Sequence, residues 1–140
     1  MNIDGVTTGI VLDHIEAGKS MNIYKLLKLD ELDCCVAIIQ NVSSSKYGKK
    51  DIIKIDGEID LDFDILGYID PNITVNRVKN GQLEKKVHLE LPATLTGVLE
   101  CRNPRCITSI EQEIVHKFYL ADKEKKVYRC SYCDVERKWL

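Results

Sequence analysis

Apolar residues recur along this chain with two periods, one near two residues and one near 3.6, and the switches between them mark out the elements. Gly9-Ile10-Val11-Leu12-Asp13-His14-Ile15 is short and β-branched, which predicts a strand. After a break at Ala17-Gly18-Lys19-Ser20, Ile23, Leu26 and Leu27 fall on one side of a helix predicted over 21–29, with Ser20 placed to cap it. Asp30-Glu31-Leu32-Asp33 is its exit. Cys34 to Ile39 is an apolar run of strand length, and Asn41 to Gly48, with its three serines, predicts a loop or wide turn. Asp51 to Asp56 is the next strand, closed by Gly57. Leu61, Ile65, Leu66 and Ile69 trace one face of a second helix, which Asp70-Pro71 ends because the residue before proline is pushed out of the α region. Ile73, Val75 and Arg77 then alternate with Thr74, Asn76 and Val78. Asn80-Gly81 signals a tight turn, and Leu83, Lys85, Val87 and Leu89 alternate with Glu84, Lys86, His88 and Glu90. Unbroken alternation puts Lys86 and His88 on the side opposite Leu83 and Val87.

Strand, helix, strand, strand, helix, strand and a final hairpin strand make an α+β sandwich with its helices on one face of the sheet. Leu91-Pro92-Ala93 marks a boundary, dividing the chain into residues 1–92 and 93–140. Beyond it only short β-like pieces occur, at Gly97–Glu100, Glu113–Leu120 and Lys126–Arg129, so the second domain is expected to be small and all-β.

Composition narrows the function classes. With 140 residues, 44% hydrophobic and 30% charged, the chain is an ordinary folded protein. Its net charge of -2 exerts no general pull on nucleic acid or anionic membrane. No apolar run approaches a membrane span. Met1-Asn2-Ile3-Asp4-Gly5 lacks the basic and apolar regions of a signal peptide, so a cytoplasmic location is expected. In that setting six cysteines are metal ligands or buried thiols rather than disulfides.

Four of the six form a constellation: Cys101-x4-Cys106, then 23 residues, then Cys130-x2-Cys133. Two close pairs separated by a β-rich segment make two knuckles that can close on one tetrahedral ion. Four thiolates leave no open position for water or substrate, which points to one structural Zn2+ per chain. An iron–sulfur cluster, or cysteines without a ligand or in disulfides, are the chemical alternatives. A domain of this size also needs such a staple, since its own core is too small. Cys34 and Cys35, adjacent on a strand, point to opposite faces and are expected to pack in the core. Around the knuckles Arg102, Arg105, Lys123, Lys125, Lys126 and Arg129 are interleaved with Glu100, Asp122 and Glu124. That mixture favours protein docking over a nucleic-acid-binding zinc ribbon, which needs a basic stripe or stacking aromatics. No nucleophile with an arranged base is visible, and His88 and His116 have no evident catalytic partner.

The chain resembles the regulatory chain family of aspartate carbamoyltransferase. The matching pieces run in family order: Gly9-Ile10-Val11-Leu12-Asp13-His14-Ile15, Gly48-Lys49-Lys50-Asp51-Ile52-Ile53-Lys54-Ile55, Pro71-Asn72-Ile73-Thr74-Val75-Asn76-Arg77-Val78, Cys101-Arg102-Asn103-Pro104-Arg105-Cys106 and Cys130-Ser131-Tyr132-Cys133. The resemblance implies a non-catalytic subunit with an N-terminal allosteric domain of ferredoxin-like topology and a C-terminal zinc domain. It implies nucleoside triphosphate effectors, CTP and ATP and often UTP. It also implies a homodimer formed through the allosteric domains, with zinc domains docked on catalytic chains, in an assembly of two catalytic trimers and three regulatory dimers. The catalytic chains make N-carbamoyl-L-aspartate for pyrimidine synthesis; no nucleic acid or membrane partner is implied.

Carried over residue by residue, the resemblance assigns a nucleotide site. Asp13 meets ribose or base polar atoms and His14 lies toward the phosphates. Lys54 contacts the ribose, with Lys50 on the same face by even spacing. Asn76 sits near ribose and base, and Val78 follows on its face. Lys86 is the phosphate lysine, with Lys85 as the shifted alternative. Ile3, Asp4, Gly5 and Val6 pass over the base, Val6 as an apolar wall. Arg102, Asn103, Arg105 and Glu111 are expected at the catalytic-chain interface. The segment before Gly9 lacks a basic residue and the turn at Gly81 lacks an aromatic; both depart from the family's best-known pattern and bear on effector choice.

Overall fold

In the computed structural model, which describes residues 6–45 and 48–137, strand β1 (Gly9–Glu16) lies at the centre of a five-stranded antiparallel sheet. It is followed by α1 (Ser20–Leu26), a 3-10 turn (Leu29–Glu31), β2 (Cys35–Ser44), β3 (Gly48–Asp56), α2 (Phe63–Ile69), β4 (Thr74–Lys79) and β5 (Gln82–His88). The spatial order is β2-β3-β1-β4-β5. The first four strands, with a helix after β1 and another after β3, make the ferredoxin-like split βαβ arrangement, and the β4–β5 hairpin extends it. Chain β1 could not lie so close to β3 with a side chain at its first residue: a Cβ on Gly9 would stand 2.0 Å from the Ile55 carbonyl oxygen.

Helices cover one face only. Ile10 and Leu12 of β1, Ile53 and Ile55 of β3 and Val75 of β4 pack against Ile23 of α1 and Leu66 and Ile69 of α2 in one buried cluster. Arg77, on the core face by alternation, escapes burial at the end of the sheet, its guanidinium 5.5 Å above the Phe63 ring.

Four local expectations need correction. Strand continues into residues 41–48 from both sides, β2 to Ser44 and β3 from Gly48: Val42, Ser43 and Ser44 pair with Lys50, Lys49 and Gly48. Their polarity is that of an edge strand, which need not bury its side chains. Ser20 does not cap α1; it is the first helical residue and buried, and Lys19 at the cap position contributes no side-chain bond. The cap comes instead from Asp51 on β3, whose carboxylate accepts from the Gly18 N–H at 3.1 Å and from Ser20. Helix α2 starts two residues after Leu61, with Asp62 as its true cap, accepting from the N–H groups of Asp64 and Ile65. Finally, Cys34 is partly buried against the core, whereas Cys35 is exposed on the edge strand.

The chain parts into two units between Glu90 and Leu91. The second holds β6 (Thr94–Thr96), α3 (Ile107–Ile110), β7 (Lys117–Asp122), β8 (Val127–Cys130) and β9 (Glu136–Arg137), with the strands in the antiparallel order β6-β7-β8-β9. Its first strand precedes the expected 97–100 segment, because Gly97 at φ 73° turns the chain out of the sheet. Residues 113–116 lie outside β7, and a single helical turn, α3, forms where the pattern predicts no helix. Leu95, Leu99, Phe118 and Tyr128 are buried, and the Tyr128 hydroxyl donates to the Pro92 carbonyl at 2.7 Å. Among the described residues no helix is long and apolar enough to cross a membrane.

Candidate functional site

Two groups of residues stand apart from the packing. The first lies on the face of the five-stranded sheet away from the helices. Residues directly opposite in a ladder share a face. Lys54 opposes Val11, Val11 opposes Asn76, and Asn76 opposes Lys86. These four therefore form one row across β3, β1, β4 and β5, about 14 Å long at about 4.8 Å per strand. Asp13, Thr74 and His88 form the next row, and Val78 lies in a third, opposite Gly9 and Leu83. Val6 packs with Val11, Ile52 and Val78 in a small apolar cluster on the same face. Ile3, Asp4 and Gly5 lie outside the described residues.

A bulge shapes the centre of this face. Leu12 and Ile15 both belong to the core, an odd spacing that a regular strand forbids, and the pairing of β1 with β3 slips between them. His14 absorbs the extra residue at φ 60°, a left-handed conformation that costs a non-glycine residue about 1–2 kcal/mol. It thereby joins Asp13 on the helix-free face, with Nδ1 3.2 Å from Thr74 Oγ1. Asp13 is only 1% exposed. Its carboxylate pairs with Lys50 Nζ at 2.9 Å and accepts the His14 N–H at 2.7 Å. Burial alone would raise its pKa, but these bonds and the nearby positive groups hold it below the ordinary value. Asn76 is buried, with Nδ2 donating to the Val11 carbonyl at 3.2 Å.

The structure thus gathers Asp13, His14, Lys54, Asn76, Val78 and Lys86 on one face, together with Val6. One expectation fails there. The β4–β5 pairing slips between Arg77 and Val78, so Leu83 opposes Val78 and shares the face of Lys86 and His88 instead of lying opposite them. Lys50 and Thr74, absent from the assigned site, lie on the same face, in contact with Asp13 and His14. Even spacing from Lys54 and from Asn76 was the signal for both.

The second group is in the C-terminal unit. The sulfurs of Cys101, Cys106, Cys130 and Cys133 lie within 4.8 Å of one another, with Cys101–Cys133 at 3.6 Å and Cys106–Cys130 at 3.7 Å. A tetrahedron with metal–sulfur bonds of about 2.3 Å has edges of about 3.8 Å, so the donor set fits a single ion. Each knuckle is a tight turn. Asn103 Oδ1 accepts the Arg105 N–H and its carbonyl accepts the Cys106 N–H, while the Cys130 carbonyl accepts the Asp134 N–H at 2.8 Å. The Cys101 N–H donates to His116 Nδ1 at 2.9 Å, tying the first knuckle to the segment before β7. Without a cation the four thiols cannot ionise together. The Thr108 hydroxyl lowers Cys106 to about 7, whereas burial, with the neighbouring sulfurs adding to it, pushes Cys101 up to about 12. A bound cation removes that conflict.

Comparison with known proteins covers both units. The model of the aspartate carbamoyltransferase regulatory chain, allosteric domain, matches residues 1–90. That of the same chain's metal binding domain matches residues 93–138. The aspartate carbamoyltransferase regulatory chain of Clostridium tetani is 52% identical over 135 residues, covering 96% of this chain and 94% of that one. The protein of that name from Clostridium botulinum is 51% identical over 134 residues, 96% of this chain and 92% of the relative. The one from Bifidobacterium longum is 41% identical over 138 residues, 99% of each.

Proposed function

Because the chain belongs to the aspartate carbamoyltransferase regulatory chain family, and is therefore a non-catalytic subunit, we propose that residues 1–92 bind nucleoside triphosphates on the helix-free sheet face and that residues 93–140 dock on catalytic chains around one structural zinc ion. Family membership sets aside the nucleic-acid-binding zinc ribbon. The observation that carries the nucleotide reading is the row from Lys54 to Lys86 with Asp13 beside it. It offers cations at both ends and a hydrogen-bonding centre, with Val6 and Val78 as apolar surface for a base. Lys86, His14 and His88 meet the phosphates, whose charge is concentrated at one end of the ligand. Asp13 and Asn76, held in place by Lys50 and by the Val11 carbonyl, supply directional contacts to ribose and base. CTP, ATP and UTP are the effectors.

Zinc is favoured as the ion because four thiolates suit it and leave no site for substrate. A cluster would interpose several atoms and spread the sulfurs apart. When bound, the ion fixes the two knuckles and so the surface presented by Arg102, Asn103, Arg105 and Glu111. The homodimer forms along β2. This ten-residue edge strand carries no charged side chain and exposes Ile39 and Cys35, whereas the opposite edge, β5, carries Glu84, Lys85 and Lys86, the usual guard against pairing. Three such dimers joining two catalytic trimers in the cytoplasm complete the assembly. A nucleotide acts on the catalytic chains only through its difference in affinity between the assembly's states.

The test is aspartate saturation of the cognate catalytic chain with zinc-loaded regulatory chain, with and without CTP. The expected result is a curve that CTP displaces only when this chain is present. An unchanged curve, with complex formation established by sedimentation, would refute the CTP reading and leave a bridging subunit.

A further inference from the structure

The four sulfurs of the metal centre are not equivalent. Cys106, 2% exposed, has its sulfur 3.0 Å from the Thr108 hydroxyl and also takes the Thr108 N–H. Cys130, 1% exposed, takes the N–H groups of Tyr132, at 3.4 Å, and of Cys133. Cys101, 8% exposed, takes the N–H of Asn103. Cys133 is only half-buried. Among the described residues no N–H or O–H other than a thiol donates to its sulfur, whose contact is Cys101 Sγ at 3.6 Å. Tyr132 and Val135, close to Cys133 in the chain, are exposed.

Hydrogen bonds to a metal-bound thiolate draw charge from the sulfur and fix its position. A thiolate's reactivity follows its charge and its access to solvent. Both gradients run the same way here, from Cys106 to Cys133. Resting on the metal reading above, we propose that Cys133 is the reactive edge of the centre, the site at which a soft electrophile attacks and opens it, and that Cys106 is the anchoring ligand, positioned by Thr108. With iodoacetamide the step balances as follows. The Cys133 thiolate attacks the methylene carbon, a sulfur–carbon bond forms, the carbon–iodine bond breaks, and iodide leaves with the electron pair. A neutral thioether replaces an anionic ligand. Three thiolates remain, and the ion dissociates.

Cys101 is the competing position. A cleft of about 370 Å³ leads to it, lined in part by Arg102 and Arg137, and these would draw in an anionic reagent; a neutral one gains nothing from them.

The experiment treats the full zinc-loaded chain, its metal content fixed by elemental analysis, with limiting iodoacetamide. Each modified cysteine is located by peptide mass spectrometry, and free zinc is read with a chromogenic chelator. Cys133 is expected to react at least tenfold faster than Cys101, Cys106 and Cys130, with zinc release following its modification. Reaction first at Cys101, or equal rates at all four, would overturn the assignment. Thr108→Val tests the anchor: zinc release should quicken and alkylation spread to Cys106, and an unaltered pattern would overturn that half. A chain that takes up no zinc overturns the metal reading and this proposal with it.

Discussion

The two units of this chain reach order by different means. The N-terminal unit buries eleven aliphatic side chains in one cluster between sheet and helices, and its stability scales with that buried area. The C-terminal unit, among its described residues, buries Leu95, Leu99, Phe118 and Tyr128 besides three of its four clustered cysteines. Four apolar side chains do not offset the conformational entropy of some forty ordered residues, so the sulfur cluster must supply the difference through a bound ion. An area-built unit tolerates change gradually, while a metal-built one is held by a single bond set and fails at once when that set is broken.

Chelation should break the comparison most sharply. Structural zinc contributes about 10–16 kcal/mol of apparent binding energy in small domains, more than any single side-chain change considered below. Removing the metal, or introducing Cys106→Ser, should abolish amide-exchange protection in β6–β8 while leaving β1, β3 and β4 protected. Persistent protection in β7 and β8 without metal would show that the small core suffices. Next in size is Ile53→Ala, at the centre of the large cluster. A loss of about 2–5 kcal/mol is expected, read by urea unfolding of the N-terminal unit, with zinc content unchanged.

Lys54→Ala and Lys86→Ala sharpen the comparison from the functional side. Each removes a charged contact worth about 1.5–3 kcal/mol, so CTP binding by calorimetry should weaken tenfold or more, while unfolding and zinc content stay at wild-type levels. A smaller effect is expected from acid. Burial pushes the Asp51 carboxyl up, but bonds from Ser20, Asn41 and Gly18 outweigh it and hold the pKa below 3.8; Asp13 is likewise lowered. A carboxylate lowered in the folded state stabilises fully above its ordinary value and loses that contribution as pH falls through the folded one. Asp51→Asn should therefore flatten the decline in protection of β1 and β3 as pH drops below about 4; a slope equal to wild type would remove Asp51 from that role. The smallest change is expected from Ile110→Ser. Ile110 is 63% exposed, and the stability of its unit should move by less than about 0.5 kcal/mol, while binding to catalytic chains weakens if this surface docks.

Much of this was legible in the chain itself, wherever the determinant is local. Period-two and period-3.6 patterns located β1, β3, α2, β4 and β5, because the side chains that decide them are near neighbours. Cysteine spacing announced the metal site, because a knuckle is a local turn. Even spacing put Lys54 with Lys50 and Asn76 with Val78. What failed was phase and partnership. The slips at His14, Asn41 and Glu84 each insert one residue into a ladder, and whether a ladder slips depends on the strand alongside, not on the strand's own sequence. Asp51 caps α1 from thirty-one positions beyond Ser20, and Asp13 is committed to Lys50 across a strand boundary; no local period encodes either. Element order and ligand spacing were settled by covalent neighbours. The direction in which His14 and Leu83 point, and which sulfur of the four is left without a donor, were settled only when distant strands and turns came into register.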